Sequence, residues 1–161
     1  MKTVPKQKRG ESRQDYGTPR AFIEAVERRF GALWIDLAAT AENAKCPRYI
    51  TPEENSLVQP WNHIIDETRA WLNPPFAAIR PWAAKCAEFV QANRKGTIFF
   101  LTPAAVGSNW FADFVHRRAF VYALQGRLTF EGETQPYPKD CILSVFHAGM
   151  SGFDVWDWRK S

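Results

Sequence analysis

Asn73-Pro74-Pro75-Phe76 constrains this chain more than any other four residues. It follows Ala70-Trp71-Leu72, an apolar run that reads as a short buried strand. Proline lacks a backbone N–H and fixes φ, so two in succession continue neither a sheet ladder nor a helix. The chain must turn as it leaves the strand. Beyond the turn, from Ile79 on, Trp82, Ala83, Cys86, Phe89 and Val90 recur at helical spacing, with Arg80, Lys85 and Glu88 interleaved. A strand, a stiffened turn and an amphipathic helix follow one another directly.

The same alternation extends in both directions. Thr18-Pro19 is a helix start, with Thr18 as a possible cap and Pro19 in the first helical position. Phe22, Val26 and Phe30 share one face of that helix, which should end near Gly31. Residues 33–38 read as a strand ending in Asp36 and small residues. Residues 40–57 are polar and irregular, with a helical turn expected at Thr51-Pro52. A strand without alternation, buried on both faces, is expected over 97–101, broken by Pro103, then a short helix over 110–116. Further strands are expected over 120–124, 128–130 and 142–146, the last two as an antiparallel pair. The aromatic tail 153–158 is expected to dock on the body.

Strands alternating with helices predict an open, mostly parallel α/β sheet with helices on both faces and an antiparallel strand near the C-terminus. Such sheets bind ligands at the carboxyl ends of their strands. Asp36 and Asn73 both end predicted strands and so belong at that edge.

The 161 residues suit one domain, and the 45% hydrophobic and 14% aromatic content suffices for a core. No apolar run is long enough to span a membrane, and the first residues show no secretory signal. Cys46, Cys86 and Cys141 are odd in number and widely spaced, and His63, His116 and His147 form no close pair. Neither a disulfide framework nor a metal site is expected. The net charge of +4 suits a polyanionic partner. Part of the excess lies in Lys2, Lys6, Lys8, Arg9 and Arg13, so residues 1–15 are expected as a basic arm without fixed structure, ahead of a domain over 16–161.

The chemistry of the central motif is specific. An exocyclic amine on an aromatic base is a poor nucleophile, because its lone pair is delocalised into the ring. Acceptors aimed at both N–H groups pull the amine toward a tetrahedral geometry and localise the pair. Asn73 offers a side-chain carbonyl and Pro74 a backbone carbonyl, with Pro75 fixing their direction. Phe76 offers a flat surface for stacking. A methyl donor must lie in line with the amine, and neither a covalent intermediate nor a metal is required. An amine within a duplex must first be extruded with its base. Phe130 or Tyr137 would then form the second wall of the pocket.

Asn-Pro-Pro-aromatic resembles the signature of amino-methyltransferases acting on adenine, cytosine N4 or glutamine. More of the chain resembles the phage-type DNA N-6-adenine-methyltransferases (the Dam family). The similar segments include Tyr16-Gly17-Thr18-Pro19, Ile35-Asp36-Leu37-Ala38-Ala39-Thr40, Glu42-Asn43-Ala44-Lys45-Cys46, Asn55-Ser56-Leu57, Trp71-Leu72-Asn73-Pro74-Pro75-Phe76, Trp110-Phe111, Gly126-Arg127-Leu128 and Pro136-Tyr137-Pro138, in order from Tyr16 to Phe146. The resemblance implies a Rossmann-like fold that binds S-adenosyl-L-methionine (SAM) and DNA, in a bacterial cytoplasm, of phage or prophage origin. It implies that Tyr16, Thr18 and Pro19 meet the methionine carboxylate. Asp36, Ala38 and Ala39 would hold the methionine part, and Asn43 and Asn55 the adenosine. Ser108, Trp110, Arg127, Phe130 and Tyr137 are candidates for the DNA side; Arg80 and Lys85, like Arg127, could touch phosphates, although most charges on helices belong to a solvated face. The chain departs from the wider methyltransferase pattern in lacking a glycine-rich loop after the first strand, where Leu37-Ala38-Ala39 stands. Methylation of another planar amine, in cytosine, RNA or protein glutamine, and a catalytically idle binder of DNA or SAM remain as alternatives.

Overall fold

A computed structural model of the protein describes residues 16–93 and 95–161; the expected basic arm lies outside the described residues. Helix α1 (Arg20–Phe30) is followed by strands β1 (Ile35–Asp36) and β2 (Arg48–Tyr49), helix α2 (Trp61–Ile65) and strand β3 (Arg69–Leu72). Helix α3 (Ile79–Ala92), strand β4 (Thr97–Pro103), helix α4 (Asn109–Phe114) and strands β5 (Phe120–Leu124), β6 (Cys141–Phe146) and β7 (Gly152–Trp156) complete the order. The strands form one sheet in the order β2-β1-β3-β4-β6-β5-β7. Strand β6 runs antiparallel to both its neighbours, and every other pairing is parallel.

Side chains alternate across the central strands, so each face receives its own core. Trp71, Phe99, Leu101 and Val145 meet Phe22, Ile23 and Val26 of α1 on one face. Ala70, Leu72, Ile98 and Phe100 meet Trp61 and Ile65 of α2 and Ile79, Ala83 and Phe89 of α3 on the other. The mostly parallel, doubly covered sheet is the expected architecture. Full burial of one such large side chain contributes about 2 kcal/mol by removing its apolar surface from water.

Several elements differ from expectation. Residues 128–130 form no strand. Leu128 and Phe130 are buried and Thr129 exposed, which imitates strand alternation, but the segment is a loop folded over the core. Its backbone bonds run from Tyr137 N to Leu128 O and from Glu131 N to Gly17 O. The antiparallel partners of β6 are therefore β4 and β5. Pro103 does not break β4 but is its last residue, opposite Cys141. Thr18 does not cap α1; Pro19 is the N-cap, and no side chain bonds the helix end. The aromatic tail does dock, but as β7, an edge strand parallel to β5. All three cysteines are free and buried. Among the described residues, no helix is long and apolar enough to cross a membrane.

Candidate active site

Strands β1 and β3 are adjacent and parallel, with Asp36 opposite Trp71. Asn73 lies two residues beyond that pair, so both polar groups emerge at the same carboxyl edge. Between them opens a cavity of about 310 Å³. Of the residues the sequence singled out, Tyr16, Thr18, Asp36, Ala38, Ala39, Asn43 and Asn55 line it, joined by Asn73 and Pro75. Pro19, Pro74 and Phe76 do not.

The Asn73 carboxamide is held from one side only. Its Nδ2 donates to the Tyr16 carbonyl at 2.6 Å and to Thr18 Oγ1 at 3.0 Å. A backbone carbonyl can only accept, so the NH₂ end must face it and the oxygen must face away. Among the described residues nothing donates to that oxygen, Asn73 Oδ1, although it is buried. A buried acceptor without a donor is costly in a finished core and suited to a site awaiting a donor.

Asp36 is only 3% exposed, and burial pushes its carboxyl up to about 7. The backbone N–H groups of Lys45 and Ala38 and the Lys45 charge oppose that shift. Lys45 N donates to Oδ2 at 3.0 Å and Ala38 N to Oδ1 at 3.2 Å, so one carboxyl folds the whole loop after β1. Asn43 tightens the same loop, its Oδ1 accepting from Thr40 N at 2.7 Å. Asn55 adopts a left-handed backbone at φ 50°, turning the chain from the Thr51 turn into the Ser56–Val58 3₁₀ turn. Lys85 fastens the outer wall by donating to the Leu57 and Gln59 carbonyls, both at 2.7 Å.

A family model described as DNA N-6-adenine-methyltransferase (Dam) matches residues 6–142. The chain belongs to this family. A protein of Escherichia phage T1 named DNA N-6-adenine-methyltransferase is 29% identical over 85% of this chain and 55% of its own length. A protein of the same name from Haemophilus phage HP1 is 27% identical over 71% of this chain and 65% of its own length. The chain thus spans less than two thirds of the length of either relative. The sheet order and two helical layers make this Dam-family chain Rossmann-like.

Its aromatic residues gather beside the cavity. Phe76, Tyr16, Phe130 and Tyr137 are in mutual ring contact, with centroids 5.0–6.0 Å apart. Phe130 is 2% exposed and acts as core, while Phe76 and Tyr137 are half-buried. Burial pushes the Tyr137 hydroxyl up to about 12. The other DNA-side candidates are not at the cavity. Ser108 caps α4, its Oγ accepting from Phe111 N. Trp110 packs edge-on against Phe100 and Phe111. Arg127 pairs with Asp140 at 3.6 Å, and Arg80 with Asp113 at 2.9 Å.

The cavity has further lining residues that no sequence pattern marks. Lys45, Ile50, Thr51, Pro52 and Trp82 all line the cavity. Trp82 stacks on Trp61, their ring centroids 6.4 Å apart. The loops that carry the other four have no periodicity from which a common face could be read.

Proposed function

We propose that this protein transfers a methyl group from SAM to the N6 amine of adenine in DNA. The observation that carries the reading is Asn73 Oδ1, a buried carbonyl of a cavity-lining residue that has no donor among the described residues. An adenine amine would supply the missing N–H. The Pro74 carbonyl would take the second N–H, and the proline pair would keep both acceptors in place before the base arrives. Phe76, half-buried beside the cavity, would stack on the ring.

The cavity residues suit the methyl donor. Asp36 is a buried acid on which a cationic ligand would act favourably. The first turn of α1 contains no acidic residue, and its N-terminus therefore suits a carboxylate. Ile50, Pro52 and Trp82 present apolar surface to a purine. When bound, SAM supplies a methyl group on a sulfonium centre. The amine held by Asn73 and Pro74 would take that methyl group as the carbon–sulfur bond gives its electrons to sulfur, and would release a proton to solvent. Residues 16–161 form the methyltransferase domain in this reading. The basic residues of 1–15 contact phosphates, and the protein acts in the cytoplasm of a bacterium on phage or prophage DNA.

The test is label transfer. Purified protein is incubated with labelled SAM and unmodified DNA, RNA or protein, with Asn73→Ala in parallel. Label in N6-methyladenine from DNA, lost in the variant, is the expected result. Label in cytosine, RNA or glutamine transfers the reading to another amine. SAM binding with no transfer to any substrate leaves an idle binder.

A further inference from the structure

We propose that Thr18 is a positioning residue for methyl transfer, its hydroxyl holding the Asn73 carboxamide so that Oδ1 faces the target amine. The inference rests on the function proposed above.

The terminal torsion of an asparagine is broad and roughly two-fold, so packing alone does not choose which end of the amide points where. Two acceptors on one side do. The Tyr16 carbonyl takes one Nδ2 proton and Thr18 Oγ1 the other. Thr18 is 1% exposed, so bulk water does not replace its oxygen. The segment carrying both acceptors is itself anchored, because Glu131 N donates to Gly17 O at 2.8 Å. A Cβ at Gly17 would lie 2.7 Å from Glu131 Oε2, so a side chain there would have to displace that carboxylate.

A threonine hydroxyl has one donor and two acceptor positions. Accepting from Asn73 leaves the O–H available to donate, and Thr18 also lines the cavity. A ligand carboxylate taking that O–H would turn the hydroxyl so that a lone pair stays on Asn73. The role is therefore wider than the cofactor contact implied by the sequence. Thr18 joins the donor cavity to the acceptor that grips the amine.

The test compares the full chain with Thr18→Val and Thr18→Ser. Affinity for SAM is read by calorimetry, the rate of the chemical step by single-turnover methylation of DNA at saturating SAM, and the Asn73 side-chain amide by NMR proton exchange. For Thr18→Val we expect SAM to bind more weakly, through the lost hydroxyl contact, and the single-turnover rate at saturating SAM to fall by roughly ten- to a hundredfold, the scale of a misplaced reacting group. Thr18→Ser should restore the rate. Unchanged rate in Thr18→Val, or lost SAM affinity with an unchanged rate at saturation, overturns the proposal. If Thr18→Val does not fold, the parent protein decides: both Asn73 Nδ2 protons should be protected from exchange, and fast exchange overturns the claim. A parent that methylates no DNA adenine defeats the function reading instead, while the NMR arm still judges the positioning of Asn73.

Discussion

Lys45 Nζ meets the Glu131 carboxylate at 2.6 Å and so joins the loop after β1 to the loop after β5. Lys45 is nearly enclosed, its side chain 7% exposed, whereas Glu131 is 43% exposed. The backbone of Lys45 hangs on Asp36, and that of Glu131 on Gly17. One ion pair therefore ties the cavity loop to the segment that carries Phe130 and Tyr137. Because Glu131 is largely solvated, the pair itself contributes little, and most of the loss in Glu131→Gln comes from leaving the enclosed ammonium without its carboxylate. We expect a loss of about 1 kcal/mol in urea unfolding and faster hydrogen exchange over 126–140. Unchanged exchange in that loop would remove the clasp from the account.

Asp36 gives the protein a defined pH response. Its folded carboxyl titrates near 7 against an ordinary value of 3.8, because burial disfavours the charge. The folded chain thus retains a proton that the unfolded chain has released. The stability contributed by this group is full below the ordinary carboxylate range and is lost as pH rises through about 7. SAM, net cationic, favours the ionised form, so its binding should release a proton at pH 6 and none well above 7. Calorimetry in two buffers of different ionisation enthalpy reads this directly. The affinity should rise with pH up to about 7 and then level. Proton uptake on binding would contradict the assignment of Asp36 to the cationic part of the ligand.

Phe130 and Phe76 touch at 6.0 Å but should answer differently to substitution. Phe130 is fully packed, and Phe130→Ala should cost about 3–5 kcal/mol in chemical unfolding, as cavity-forming changes do. Phe76 is half-buried at the end of the proline pair. Phe76→Leu should leave stability within about 1.5 kcal/mol of the parent, since the swap keeps most of the apolar volume. It should weaken methylation by roughly tenfold or more through the lost stacking face. Equal activity loss from both changes, after correction for the folded fraction, would argue that Phe130 also meets the base.

Much of the site was legible because chain polarity does the work. A strand that runs into Pro74-Pro75 must deliver Asn73 to its carboxyl end, and an acid ending a neighbouring parallel strand must arrive beside it. Partners across long sequence gaps were not legible. The resemblance places Thr18 on the cofactor, but its bond to Asn73 spans 55 residues and depends on the sheet register. Ser108 and Trp110 follow a strand end too, but β4 delivers them to the α4 layer and not to the gap between β1 and β3. Strand β7 escaped because four of its five residues are exposed, so no burial pattern marks it. Lys45 had no signal beyond its charge, since only the fold shows that the loop closes over it.

The 2.6 Å bond from Asn73 Nδ2 to the Tyr16 carbonyl also explains why the residue is asparagine rather than aspartate. In Asn73→Asp an oxygen replaces Nδ2 and faces another oxygen that can only accept. A carboxylate there must leave its position or take a proton. The protonated form restores a donor to Tyr16 and returns a carbonyl to the position of Oδ1, so the folded pKa of the new carboxyl should rise. Its contribution to stability is then present below the ordinary carboxylate range and lost as pH rises through the raised value. At pH 8 we expect methylation slower than the parent by about a hundredfold, the scale of a misplaced catalytic group. The ratio of variant to parent rates should increase as pH falls toward 5.5, which separates this proton from that of Asp36, common to both proteins. A variant that matches the parent at pH 8 would mean that the orientation of the Asn73 amide does not control the reaction.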